Sequence, residues 1–139
     1  MPGPEAGYRG EGSELKVGEW LSHRDAVADS RPTLVEFFFS RSEPSLRRLA
    51  VLDGFVRDHS ERLNVILMVR ESRERLAPAL EGKGYAFAVA LDDGNRTFAA
   101  YGVQFVPFAV LFDARGRVVW FGNSSKFGDA ELQRELGWN

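Results

Sequence analysis

Two apolar runs limit what this chain can fold into. Residues 33–39 (TLVEFFF) and 63–69 (LNVILMV) are β-branched and aromatic with almost no polar face, the pattern of strands buried on both sides. Between them, from Pro44 to His59, Leu46, Leu49, Ala50, Leu52, Phe55 and Val56 recur at helical spacing, which predicts an amphipathic helix. Strand, long helix and second buried strand make a crossover, and crossovers join parallel strands.

The pattern continues downstream. Ser72 to Leu80 reads as a helix with Ser72 as its N-cap, ended by Gly82 and Gly84. Tyr85 to Leu91 (YAFAVAL) reads as a third strand, and Asn95 to Tyr101 as a short helix closed by Gly102. Phe108 to Phe112 and Arg117 to Phe121 flank Asp113-Ala114-Arg115-Gly116, a hairpin signal. Asp129 to Leu136 reads as a closing helix capped by Asp129. Upstream, Trp20 to Ala28 is read as a short helix packing through Trp20, Leu21 and Val27. Residues 1–13, rich in Gly, Pro and Glu, are expected to be a loose tail, and residues 14–139 one domain. The predicted class is α/β: a mixed central sheet covered by helices on both faces, with a C-terminal β-hairpin.

Composition narrows the function. The chain is 139 residues with 44% hydrophobic and 27% charged residues, enough for one domain with its own core. A net charge of −2 gives no electrostatic reason to expect nucleic acid or an anionic membrane surface. No apolar run approaches the ~20 residues of a membrane helix. The start, MPGPEAGYRGEGS, has no apolar stretch and one basic residue, Arg9, so it does not read as a secretory signal. A complete chain would then be cytoplasmic, and a chain trimmed of a signal or anchor would be extracytoplasmic. There is no cysteine, so disulfides and thiolate metal sites are excluded. The histidines, His23 and His59, are far apart in sequence and suggest no metal site. No glycine spacing suggests a phosphate loop, and no cofactor is expected.

Three motifs carry a resemblance. FFFSRSEPSLRRL (residues 37–49) is an aromatic strand, a short turn and a helix opening on Ser42-Glu43-Pro44-Ser45. Val106-Pro107 precedes the strand FAVLF. VILMVRES, FAVALDDGNRTFAAYGV and DARGRVVW follow one another in order. Taken together, residues 31–137 resemble the thioredoxin fold, in its branch of TlpA/ResA-like thiol-disulfide oxidoreductases. That resemblance implies cysteines at positions 42 and 45, as in Cys-Glu-Pro-Cys, where this chain has Ser42 and Ser45. It implies a tryptophan at the position of Arg41. It also implies an active-site acid at Glu71, and a cis peptide bond between Val106 and Pro107 beside the redox motif. On the same resemblance Arg41, Glu43, Pro44, Val106 and Pro107 would face the substrate, a protein or peptide thiol or disulfide.

The chemistry of such a site needs sulfur. A thiolate attacks a disulfide and a second thiol resolves the mixed intermediate, with the helix N-terminus lowering the thiol pKa. Serine does neither. As a hydrolytic nucleophile, Ser42 would need a positioned base. His59 lies at the far end of the same predicted helix, about 24 Å away at helical rise, and His23 lies in the N-terminal segment. Ser42 is better read as an N-cap. Glu71 reads equally as an active-site acid or a loop residue, and Arg41, Arg47 and Arg48 as a solvated helix face. Phe37, Phe38 and Phe39 read as core, and Trp120 and Phe121 as sheet packing. Two functions remain. One is a Cys-to-Ser form, of the kind engineering would make, of a disulfide-reducing or disulfide-exchanging enzyme. The other is a natural redox-dead module that binds a peptide or partner protein beside Pro107.

Overall fold

The computed structural model describes residues 15–138; the expected tail, residues 1–13, lies outside them. The strands are β1 (Val17–Ser22), β2 (Thr33–Phe38), β3 (Asn64–Val69), β4 (Ala88–Asp92), β5 (Phe108–Phe112) and β6 (Val118–Asn123). The helices are α1 (Glu43–His59), α2 (Arg73–Leu80), α3 (Arg96–Ala100) and α4 (Asp129–Leu136). One six-stranded sheet has the order β1-β4-β3-β2-β5-β6. β2, β3 and β4 run parallel, as the crossovers require. β1 closes one edge antiparallel to β4, and the β5–β6 hairpin closes the other.

The pleat of β2 divides the interior. Leu34 and Phe38 meet Leu49, Leu52 and Phe55 of α1, Leu76 of α2 and Leu132 of α4 on one face. Val35 and Phe37 meet Phe98 of α3, its neighbour Tyr101 and Phe108 on the other. Phe37 packs edge-on against Phe98, ring centroids 4.9 Å apart. Phe37 and Phe38 are therefore core, whereas Phe39 is left 37% exposed at the end of the strand.

Four local expectations are corrected. The helix expected over Trp20 to Ala28 is instead β1 followed by one 3₁₀ turn, Arg24–Ala26. Trp20 pairs with Ala90 of β4 and packs against the second core face, so sheet pairing overrides a weak local preference. The third strand begins later than expected, at Ala88, because the Ala86 N–H donates to the Asp53 carboxylate at 2.9 Å and not to a ladder partner. The last strand is shifted towards Asn123, because Arg117 belongs to the turn: its N–H donates to Asp113 Oδ1 and its carbonyl accepts the Asp113 N–H. α4 is preceded by Gly128 as its cap residue. There the Glu131 carboxylate accepts the Gly128 N–H at 2.8 Å, while the Asp129 carboxylate turns outward to His59 at 2.7 Å.

Candidate functional site

The C-terminal ends of the parallel strands converge on one edge of the sheet. β5 starts at that edge, since it pairs antiparallel to β2 with Phe37 opposite Phe108. This register sets Val106 and Pro107 alongside the Phe38–Phe39 end of β2. The turn from β2 into α1 and the turn from β3 into α2 lie at the same edge, so Ser42, Glu71 and Val106 come to one end of the molecule although they are far apart in sequence.

Ser42 caps α1. Its Oγ accepts the Ser45 N–H at 3.2 Å and its carbonyl accepts the Leu46 N–H at 2.9 Å. Glu43 and Pro44 form the exposed first turn. The acid is favoured at a helix start and the proline has no N–H to leave unpaired there. Ser45 differs from its neighbours. It is wholly buried, and its Oγ has no hydrogen-bond partner.

Glu71 holds the turn that precedes this cap. Its Oε1 accepts the Ser40 N–H at 2.7 Å and its Oε2 accepts the Ser40 hydroxyl at 2.6 Å. The two oxygens thus hold Ser40, two residues before Ser42, by its backbone and its side chain. Glu71 also lines a groove of about 360 Å³ with Phe39, Arg70, Phe98, Phe105 and Val106. Phe105 is 41% exposed at its rim. The Arg70 guanidinium lies 4.6 Å from the Phe98 ring centre and donates to Asn95 Oδ1 at 2.8 Å, which fixes one wall. The Val106–Pro107 bond is cis. Pro107 is buried, and its carbonyl accepts the Ser124 N–H at 3.2 Å.

Of the residues singled out by sequence, Glu71 and Val106 line this groove, while Ser42, Ser45 and Pro107 sit beside it without lining it. Arg41 is exposed on the turn, and Arg47 is exposed with its guanidinium 3.6 Å from the Glu43 carboxylate. Arg48 does not belong to that solvated face. It is 3% exposed, because position 48 falls on the same helical stripe as Ser45, Leu49, Leu52 and Phe55.

What Arg48 meets was missed by sequence reasoning. Glu36, in the middle of β2, is wholly buried. Arg48 donates from Nε to Glu36 Oε2 at 3.1 Å and from Nη2 to Oε1 at 3.3 Å. Its Nη1 donates to the Phe127 carbonyl at 2.7 Å, and the Ser124 hydroxyl donates to Glu36 Oε2 at 2.7 Å. Burial pushes the Glu36 carboxyl above the usual range, against the opposing pull of Arg48 and Ser124. The lone charge in TLVEFFF was the available signal, since a charge inside a buried strand needs a partner.

Neither histidine lies within the site, and both oxygens of the Glu71 carboxylate are engaged by Ser40. His59 ends α1 and is engaged with Asp129. His23 follows β1, whose end pairs with the start of β4, and so lies at the opposite edge of the sheet. Among the described residues, no group of His, Asp or Glu is arranged to hold a metal ion, and no helix is long and apolar enough to cross a membrane.

No family model and no curated protein matches the sequence. Solved structures do match in fold. A protein named thiol:disulfide interchange protein DsbE from Chlorobium tepidum superposes with a TM-score of 0.74 at 16% identity, over 97% of this chain and all (100%) of the other. A thiol-disulfide isomerase from Corynebacterium glutamicum gives 0.72 at 20% identity, covering 92% and 94% of the two chains. The exposed lipoprotein thioredoxin of Streptococcus pneumoniae gives 0.70 at 20% identity, covering 89% and 97%. Sheet order, crossovers and these superpositions agree: the chain has the α/β thioredoxin-like fold, built here without a single cysteine.

Proposed function

We propose that this chain is a redox-silent relative of the thiol-disulfide oxidoreductases that works by binding, holding an extended peptide in the groove beside Val106 and Pro107. The observation that carries this reading is the groove itself. It presents the exposed rings of Phe39 and Phe105 and the side chains of Glu71 and Val106, next to a helix start whose Ser42 hydroxyl is occupied as a cap. Residues 103–107 lie outside the β5 ladder, where a peptide main chain can add strand-like hydrogen bonds. Ser42, Ser45 and Glu71 then act as a fixed frame, and Arg41 and Glu43 meet the peptide from the turn. An extracytoplasmic place fits this reading, since the neighbours include an exposed lipoprotein.

A capped neutral peptide, acetyl-Ser-Phe-Val-Thr-Gln-Gln-Gln-amide, tests the binding. Titrated into ¹⁵N-labelled protein, it should shift the amides of Phe39, Gln104, Phe105 and Val106. A spectrum unchanged at millimolar peptide overturns the reading.

A second reading has its own support. The buried Ser45 Oγ without a partner occupies a seat that a thiol, a much weaker hydrogen-bonding group, would fill at lower cost. This favours a Cys-to-Ser form of a working disulfide reductase, whether natural or engineered. The Ser42→Cys, Ser45→Cys double variant separates the two. Reduction of insulin by the folded variant supports a recently silenced enzyme, and a folded but inert variant leaves the binding module.

A further inference from the structure

A second cleft opens on the other side of the Ser40–Glu71 link. It lies between the start of α1 and α2 and measures about 490 Å³. Leu46, Pro78 and Ala79 supply an apolar surface, and Ser40, Arg75, Lys83 and Tyr85 supply the polar groups. Among the described residues, no acidic side chain lines it. Among the described residues, neither the Arg75 guanidinium nor the Lys83 ammonium has an ion-pair or hydrogen-bond partner, unlike the guanidinium groups of Arg57, Arg73, Arg96 and Arg117 elsewhere on the surface. Two unneutralised cations beside apolar side chains, on a chain with net charge −2, are complementary to an anion that carries an apolar portion.

The position of the cleft indicates which anion. Glu71 lines the first groove and Ser40 lines the second, and the two residues are joined by hydrogen bonds of 2.6 and 2.7 Å. The grooves are therefore separated by one bonded pair at the same edge of the sheet. We infer that the cleft between α1 and α2 is the acidic-residue subsite of the peptide groove, taking glutamate or aspartate side chains a few positions beyond the residues held at Phe105 and Val106. This rests on the peptide-binding reading above and adds the partner's chemistry: an extended segment, apolar first and acidic after.

The test compares the neutral probe with acetyl-Ser-Phe-Val-Thr-Gln-Glu-Glu-amide. The acidic peptide should bind about fivefold tighter at low salt, the scale of two solvent-exposed ion pairs, and should additionally shift the amides of Ala79, Lys83 and Tyr85. The Arg75→Gln, Lys83→Gln double variant changes only exposed side chains and should bind both peptides alike, as should the unaltered protein in 0.5–1 M salt, where the screening length falls to roughly 3–4 Å. Equal affinity for the two peptides, with the Phe105 amides still shifting, overturns the acidic subsite and leaves the groove standing. Shifts only around Tyr85, and only with the acidic peptide, overturn the groove and retain the cleft as an anion site. No shift with either peptide overturns both.

Discussion

Removing a hydroxyl from water without giving it a partner costs about 1–3 kcal/mol, and Ser45 is in that position at the first turn of α1. Ser45→Ala removes the group and adds a better helix former, so it should raise stability by about 1 kcal/mol, read as a higher urea midpoint with unchanged slope. A lower midpoint would mean that the hydroxyl is satisfied in solution. Glu36 and Arg48 show the opposite case, a buried pair in which every charged group is matched. Arg48→Met leaves a buried carboxylate alone and should cost about 3–5 kcal/mol. Adding Glu36→Leu to that variant should recover a large part of the loss, because the unpaired charge goes with it. A double variant no better than Arg48→Met would show that the pair is held for its contact to the Phe127 carbonyl and not for charge balance. Both residues were legible in principle. Glu36 is the one charge in a buried run, and Arg48 sits on the apolar stripe of α1 by its spacing from Leu52 and Phe55. Their contiguity with Arg47 and with three phenylalanines hid them, since runs of like residues read as faces.

At the scale of elements, the joints decide how the helices are held. α1 and α4 meet where His59, near the end of one, contacts Asp129, at the start of the other, at 2.7 Å. Trp138 packs against His59 with ring centroids 5.1 Å apart and the ring planes tilted by 53°, and the Arg62 guanidinium lies 3.9 Å from the centre of the Trp138 ring. The hydrogen bond from His59 holds the Asp129 carboxyl below the ordinary aspartate range. A carboxyl lowered in the folded state contributes stability that is present above its unfolded value, about 3.9. That contribution is lost as the pH falls from there through the folded value. Asp129→Asn should therefore lower the urea midpoint at pH 6 and show a smaller further decline between pH 4 and 2.5 than the unaltered protein. Parallel pH profiles for the two proteins would remove Asp129 from the acid response. The long, strongly periodic elements were legible, because β2, β3 and α1 bury a whole face that the sequence spells out. Their joints were not, since the Asp129–His59 and Asp53–Ala86 contacts join residues distant in sequence.

For the whole molecule, the main question is how the sheet ends. The β5–β6 hairpin closes one edge locally and was readable from its turn. The other edge is closed by β1, which pairs antiparallel with β4, a strand distant from it in sequence, and the sequence suggested a helix there. Val17 and Trp20 pack against the face formed by Val35, Phe37 and Ala90, and Glu19 forms an ion pair with Arg73 of α2. Without β1, the backbone of Ala88–Asp92 would become a bare edge in the middle of apolar residues, the arrangement that templates pairing with another chain. Deleting the residues up to and including Ser22 should therefore lower the urea midpoint and shift the protein from its original elution position towards larger species on size exclusion. The shift should grow with protein concentration, because edge pairing is bimolecular. The same deletion leaves the groove residues Phe39, Glu71, Phe105 and Val106 in place, so any monomer that persists should still bind the neutral peptide. A deleted chain that elutes and unfolds like the intact one would mean that β1 covers nothing the sheet needs, and that the protection of the β4 edge comes from elsewhere.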